Sequence, residues 1–299
     1  MNRTWVRMGV LALLWGSGFL WIKLALTGLA PVQLTLVRCA LGAATLLVLA
    51  GAARQRLPRD RGTWGRLVVA AFFCNAVPFA LFSLGERTVD SGVAGVMNAT
   101  TPLWSLLIGI LLGTERRPSP VRLAGLLLGF GGILLIFAPW HHEGLAGWGT
   151  LALLGAALSY AIAFTYMAKK LTAGDAPIAL SAAQLMAATA LTALALPTTT
   201  EALHLNWTAV IAVIILGIFG TGITFYLNYR LIADEGPTTA ATVGYLLPVV
   251  SVGLGAVFLG EPLTPRIIAG MAIVLGAVAL TRRQESRSTR SPAAPASPR

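Results

Sequence analysis

Charge is scarce in this chain. Of its 299 residues 11% are charged, against about 25% in a soluble domain. That shortage excludes a soluble enzyme of this length, because the polar surface needed to cover it is missing. Acid is scarcer than base, with 11 Asp and Glu against 22 Lys and Arg. Every carboxylate falls in a loop or at the end of an apolar run. None is therefore expected at mid-bilayer to relay a proton or hold sodium, and proton coupling has no obvious carrier. Two cysteines, Cys39 and Cys74, and three histidines exclude a disulfide scaffold and offer no metal-ligand spacing. His141-His142-Glu143 reads as a solvated loop, since three adjacent side chains do not converge on one centre. No phosphate-binding loop, nucleophile elbow or His-Glu-Xaa-Xaa-His helix occurs, so the reading is of a chain that is not an enzyme, without cofactor or metal.

What is present is apolar length. Hydrophobic residues make up 56% of the chain. Runs long enough to cross a hydrocarbon core of ~30 Å fall at about 5–27, 31–52, 64–84, 90–113, 120–138, 147–170, 177–196, 207–230, 236–260 and 264–282. The spacing predicts an all-α membrane protein of ten transmembrane helices. Ser119-Pro120 and Thr264-Pro265 place a hydroxyl at the N-cap and a proline at the first helical position. The first run is too long for a signal sequence and reads as a retained helix. Residues 284–299, rich in Ser, Pro, Ala and Arg, read as a disordered basic cytoplasmic tail.

The net charge of +11 does not point to nucleic acid, because the basic residues fall between apolar runs rather than on one face. With the N-terminus inside, 18 of the 22 basic residues lie on the cytoplasmic side and only Arg87 and Arg266 outside. Both termini are therefore expected in the cytoplasm, with the lipid bilayer as partner and an inner membrane as location.

The chain also repeats. Pro31 and Pro177 are 146 residues apart, as are Arg38 and Gln184, Pro102 and Pro248, Ser105 and Ser251, and Glu115 and Glu261. Two repeats, 5–140 and 147–283, each of five helices, must enter the membrane from opposite sides, a construction used by many secondary transporters.

Leu14-Trp15-Gly16-Ser17-Gly18-Phe19, then Lys23 and Arg38, resemble the opening of the EamA branch of the drug/metabolite transporter superfamily. So do Pro102 … Gly113-Thr114-Glu115 … Ser119-Pro120 … Gly125 and Pro248 … Gly260-Glu261-Pro262-Leu263-Thr264-Pro265 … Gly270. The resemblance spans residues 5–283. It implies two inverted five-helix repeats around a central cavity, a small-molecule substrate, and export of amino acids, nucleosides, drugs or other metabolites.

Lys23 and Arg38 are basic residues that lie away from the ends of their spans, and a basic side chain at mid-bilayer costs about 2.5–3.5 kcal/mol. Either they attract a carboxylate, or Lys23 snorkels outward and Arg38 pairs with backbone carbonyls. Trp15, Phe19, Phe79, Asn98, Trp104, Tyr160 and Tyr245 are the candidate cavity lining, joined by Asn75 and Thr221. Pro102 and Pro248 are candidate hinges. Glu115 and Glu261 are expected to cap the helix starts that follow them, and Gly109-Xaa-Xaa-Xaa-Gly113 and Gly125-Xaa-Xaa-Xaa-Gly129 to pack helices closely.

The expected function is alternating-access export of an amino acid or related organic anion. The alternative is a multidrug exporter of cationic compounds, which burial of Arg38 against protein would favour. A homodimer is the assembly left open.

Overall fold

The computed structural model describes residues 2–113, 120–137, 147–171, 176–204, 206–235 and 243–290. Among them all regular structure is helical, as lipid requires of a chain that must satisfy its backbone internally. Seven helices are long and apolar enough to cross a membrane. They are α1 (Trp5–Ala25), α2 (Pro31–Ala52), α3 (Arg61–Gly85), α4 (Ser91–Leu111), α6 (Trp148–Lys170), α7 (Pro177–Thr198) and α8 (Trp207–Asn228). Three others have shorter apolar stretches: α5 (Pro120–Phe137), α9 (Leu247–Leu259) and α10 (Pro265–Arg290).

Local chemistry sets the boundaries. Asp60, which precedes α3, accepts from Thr63 N at 2.7 Å, a side-chain N-cap. That bond and the Thr63 hydroxyl hold the Asp60 carboxyl below its ordinary range. Thr264 Oγ1 accepts from Ile267 N at 3.3 Å ahead of Pro265, as its N-cap reading expects. Gly260 follows α9 with φ +66°, the left-handed conformation that glycine adopts most cheaply.

Three expectations need correction. First, α4 is not continuous: it breaks after Asn98 and resumes at Thr101, with Pro102 in the new first turn. Proline cannot donate to the preceding turn, so the break falls just before it. Second, α10 continues through residues 284–290, where an irregular tail was expected. No Pro or Gly lies between Gln284 and Arg290 to stop a helix already formed. Third, Gly113 is not a packing glycine; it has φ +66° and open space around its Cα. Gly129 does pack closely, since a Cβ there would overlap the Leu103 side chain, and the backbone-to-backbone crossings use other glycines. A Cβ on Gly85 would stand 2.8 Å from Gly149 O, and one on Gly132 would stand 3.0 Å from Gly270 O, so α3 meets α6 and α5 meets α10 backbone to backbone. Glu86, at the end of α3 where the sequence places it, is nonetheless buried.

The helices pair as α1 with α8, α2 with α7, α3 with α6, α4 with α9 and α5 with α10. Their ends sort into two sets. At one end, here proximal, Arg7 pairs with Asp234 at 2.7 Å, and Gln55 Oε1 accepts from Ile178 N and Ala179 N. At the other, distal end, Arg87 pairs with Glu201, Asn206 Nδ2 donates to Thr27 O, and His204 N donates to Gly28 O. Large apolar side chains such as Leu111, Leu127, Leu194 and Val257 point outward and are exposed, a perimeter that suits hydrocarbon and not water. Trp148 and Trp207 stand exposed at helix starts, where indoles prefer the membrane interface.

His141, His142, Glu143, Glu115 and Ser119 lie outside the described residues, as do residues 291–299.

Candidate functional site

The site is built from two interruptions in the helical ladder. In α3 the segment Phe72–Ala76 is a π turn, and in α8 so is Ile218–Ile223. The two start 146 residues apart, the same interval as the sequence repeat. A π turn widens the helix by one residue and re-aims the side chains within it, which is why such turns gather at functional sites. In α3 the turn carries Asn75 and in α8 it carries Thr221, both fully buried.

Each of these residues receives one donor from a helix of the other repeat. Arg38 Nε on α2 donates to Thr221 Oγ1 at 2.9 Å. Gln184 Nε2 on α7 donates to Asn75 Oδ1 at 2.7 Å. Glycine permits the first approach: a Cβ on Gly42 would stand 2.8 Å from the Thr221 methyl, and one on Gly217 2.6 Å from Leu41 Cβ.

The Arg38 guanidinium carbon also lies 3.7 Å from the centroid of the Phe79 ring, a cation–π contact. Phe79 and Arg38 are 2% and 6% exposed. Tyr160 packs against the same cluster of Cys39, Phe79 and Ala188, and its ring lies 6.1 Å from that of Phe82. Phe82 in turn meets Phe19 edge to face at 5.5 Å. Among the described residues Arg38 is in no ion pair. The result is one cation, desolvated and walled by aromatic rings, held by a single neutral hydroxyl.

Four sequence candidates therefore meet: Arg38, Phe79, Tyr160 and Phe19. Others stand apart. Trp15 packs with Met8, Leu11 and Leu227, and Trp104 pairs with Phe130 at 5.0 Å. Asn98 ends the first segment of α4, and the side chain of Tyr245 lies outside the described residues. Pro248 stands in the first turn of α9 as Pro102 does after the break in α4. Lys23 turns away from any solute, donating to Glu86 O at 2.6 Å and Val89 O at 2.8 Å. Backbone pairing was expected of Arg38; Lys23 is the residue that does it.

The side chains of this cluster are buried against one another. An open, apolar surface groove of about 270 Å³ lies at the proximal end between α4 and α6, lined by Ile108, Leu112, Ile162, Tyr166 and Lys169 among others. The distal end is shut. Glu261, expected to cap its own following helix, accepts from Ser91 N at 2.7 Å and Gly92 N at 2.9 Å at the start of α4. A carboxylate there satisfies two free amides and complements the helix dipole, which the local Thr264 cap makes unnecessary for α10.

Phe82 and Glu86 were missed by sequence reasoning. Phe82 could have been found three residues after Phe79 on the same helical face. Glu86 looked like a loop residue beside Arg87.

Comparison with known proteins agrees with this architecture. A solved crystal structure superposes with a TM-score of 0.67 at 20% identity, covering 97% of this chain and all of its own; that likeness shows the fold. The Bacillus subtilis uncharacterized transporter YvbV is 25% identical over 283 residues, 93% of this chain and 91% of the relative. The Escherichia coli uncharacterized inner membrane transporter YedA is 26% identical, covering 90% of this chain and 87% of its own. The sequence profile of the EamA-like transporter family matches residues 4–138 and 147–283. With both stretches matched, the chain belongs to the EamA-like transporter family.

Proposed function

We propose that this transporter works by alternating access between two inverted five-helix repeats, residues 5–140 and 147–283, and exports a small metabolite bearing a carboxylate. The observation that carries the reading is the Arg38 guanidinium: buried beside two repeat-related π turns, aromatic-walled, and in no direct ion pair among the described residues, with Glu86 the carboxylate that faces it at longer range. An unpaired cation in low dielectric attracts an anionic group strongly. Phe79, Tyr160 and Phe19 supply apolar contact for the rest of the solute.

The twin pairs Arg38–Thr221 and Gln184–Asn75 support the inverted repeat, as do the equal spacing of the π turns and the helix pairing. The contacts of Glu261 with Ser91 and Gly92 support a form closed at the distal side; that side being closed, the proximal side is the one to open. The Lys/Arg distribution makes that side the cytoplasm, of an inner membrane such as the one YedA is named for. Export follows from the family likeness.

A second reading has its own observation. Arg38 is held by Thr221 and Phe79 and nearly buried, which favours an exporter of cationic or hydrophobic drugs, with Arg38 as internal bracing. A counterflow panel in proteoliposomes separates the two, using a neutral amino acid, a dicarboxylate, a nucleoside and a quaternary ammonium dye, with and without Arg38→Gln. The carboxylate reading expects exchange of the amino acid or dicarboxylate, lost in the variant. Exchange of the dye alone, unchanged by Arg38→Gln, overturns it.

A further inference from the structure

Glu86 joins α3 to α4 and is fully buried, yet neither carboxyl oxygen has a hydrogen-bond partner among the described residues. Buried polar atoms are nearly always paired, and an ionised carboxylate in that state carries a large desolvation cost. The charged groups facing it are Lys23 from α1, Arg38 from α2 and Glu261 from the segment before α10. Burial is the largest influence and raises its proton affinity well above the ordinary carboxylate range; Glu261 adds to this while Lys23 and Arg38 oppose it. Asp90 in the same loop is pushed up by burial and by Glu261, with Lys23 opposing. Arg87 is turned outward to Glu201.

Its position matters as much as its surroundings. The Glu86 peptide carbonyl takes the Lys23 ammonium, and five residues on, Glu261 of the other repeat seals the start of α4. Glu86 therefore lies under the contacts that shut the distal end, and these contacts must part for that end to admit water.

We propose that Glu86 is a proton-binding site of the distal gate: closing the distal end buries it with a proton, and opening releases that proton to water. The inference rests on the alternating-access reading above, and its test requires no solute. The sign follows from linkage. In the open form the hydrated carboxyl returns to the ordinary range, so the closed form binds the extra proton between that range and its own raised value. Acid then favours closure and alkali favours opening, by up to about tenfold in the equilibrium per pH unit for one proton.

The test uses the full chain in liposomes, with Cys39→Ala and Cys74→Ala as background and spin-labelled cysteines replacing Leu84 and Leu263. Both positions are exposed at the distal end, on either side of the closure. Inter-label distances are measured from roughly pH 5 to pH 9, spanning the ordinary carboxylate range and well above it. The expected result is a longer-distance population that grows with pH in the parent. Glu86→Gln, permanently neutral, should hold the short distance throughout, and Glu86→Asp should keep the response. A pH-independent parent overturns the proposal, as does a pH response that survives in Glu86→Gln. Should Glu86→Gln fail to fold, a Glu86→Asp protein without the response overturns it as well. A gate that follows pH in a protein that exchanges none of the counterflow probes would leave Glu86 assigned and overturn the carboxylate-solute reading instead.

Discussion

Arg38 and Gln184 hold equivalent places 146 residues apart, each donating a hydrogen bond into the π turn of the other repeat, but only Arg38 carries charge. The frame is duplicated and the charge is not. The two donors are thus one positive guanidinium and one neutral amide.

The neutral twin predicts what Arg38→Gln does to the fold. A glutamine amide can reach Thr221 as Gln184 reaches Asn75, so the variant should fold and melt within a few degrees of the parent. Arg38→Ala, which empties the site beside Thr221 and Phe79, should cost about 1–3 kcal/mol. Thermal unfolding in detergent compares the two; equal losses would contradict the twin relationship.

Lys23 braces a loop. Lys23→Met removes the donor to the Glu86 and Val89 carbonyls and should destabilise the protein by about 1–3 kcal/mol. Hydrogen exchange of the 86–90 segment should accelerate more than that of α5 and α10. Protection unchanged in that segment would show that the ammonium is not holding it.

Backbone contact at Gly132 and Gly270 leaves no room for a side chain. Gly132→Val would place its Cβ 3.0 Å from Gly270 O and 2.9 Å from a Val274 methyl. Overpacking of this kind costs about 1–3 kcal/mol, and α5 should separate from α10. Gly131→Val, at a position with nothing within 4 Å, should be tolerated. Size-exclusion behaviour of the pair is the check, and equal behaviour would refute the close crossing.

Much of the fold was legible because lipid reduces the choice of structure to apolar length. The cap at Thr264 follows from side-chain chemistry that acts locally, and the 146-residue interval read from the sequence reappears in the spacing of the two π turns. The site was legible in part. Arg38 stood out as a charge in an apolar run, and its match to Gln184 was visible. Its acceptor was not, because the π turns at Phe72 and Ile218 follow from tertiary packing and leave no periodic signal. Glu86 escaped for the same reason: whether a loop carboxylate is wet or buried depends on what folds over it. Glu261 likewise reached across to Ser91 rather than to its own neighbour.

Pro102 and Pro248 mark the first turns of two helical segments 146 residues apart, so under the proposed alternating access each is placed to bend its helix. Pro102→Ala and Pro248→Ala should change exchange rates several-fold while expression stays intact. Identical kinetics in both variants would remove the hinge role.

The central claim is that the Arg38 guanidinium is the solute's anchor. Equilibrium binding of the radiolabelled carboxylate that exchanges in counterflow, measured on purified parent and Arg38→Gln proteins of equal thermal stability, tests it most directly. The account predicts a loss of at least about tenfold, or roughly 1.4 kcal/mol, in the variant. Equal affinity in the two proteins would contradict it.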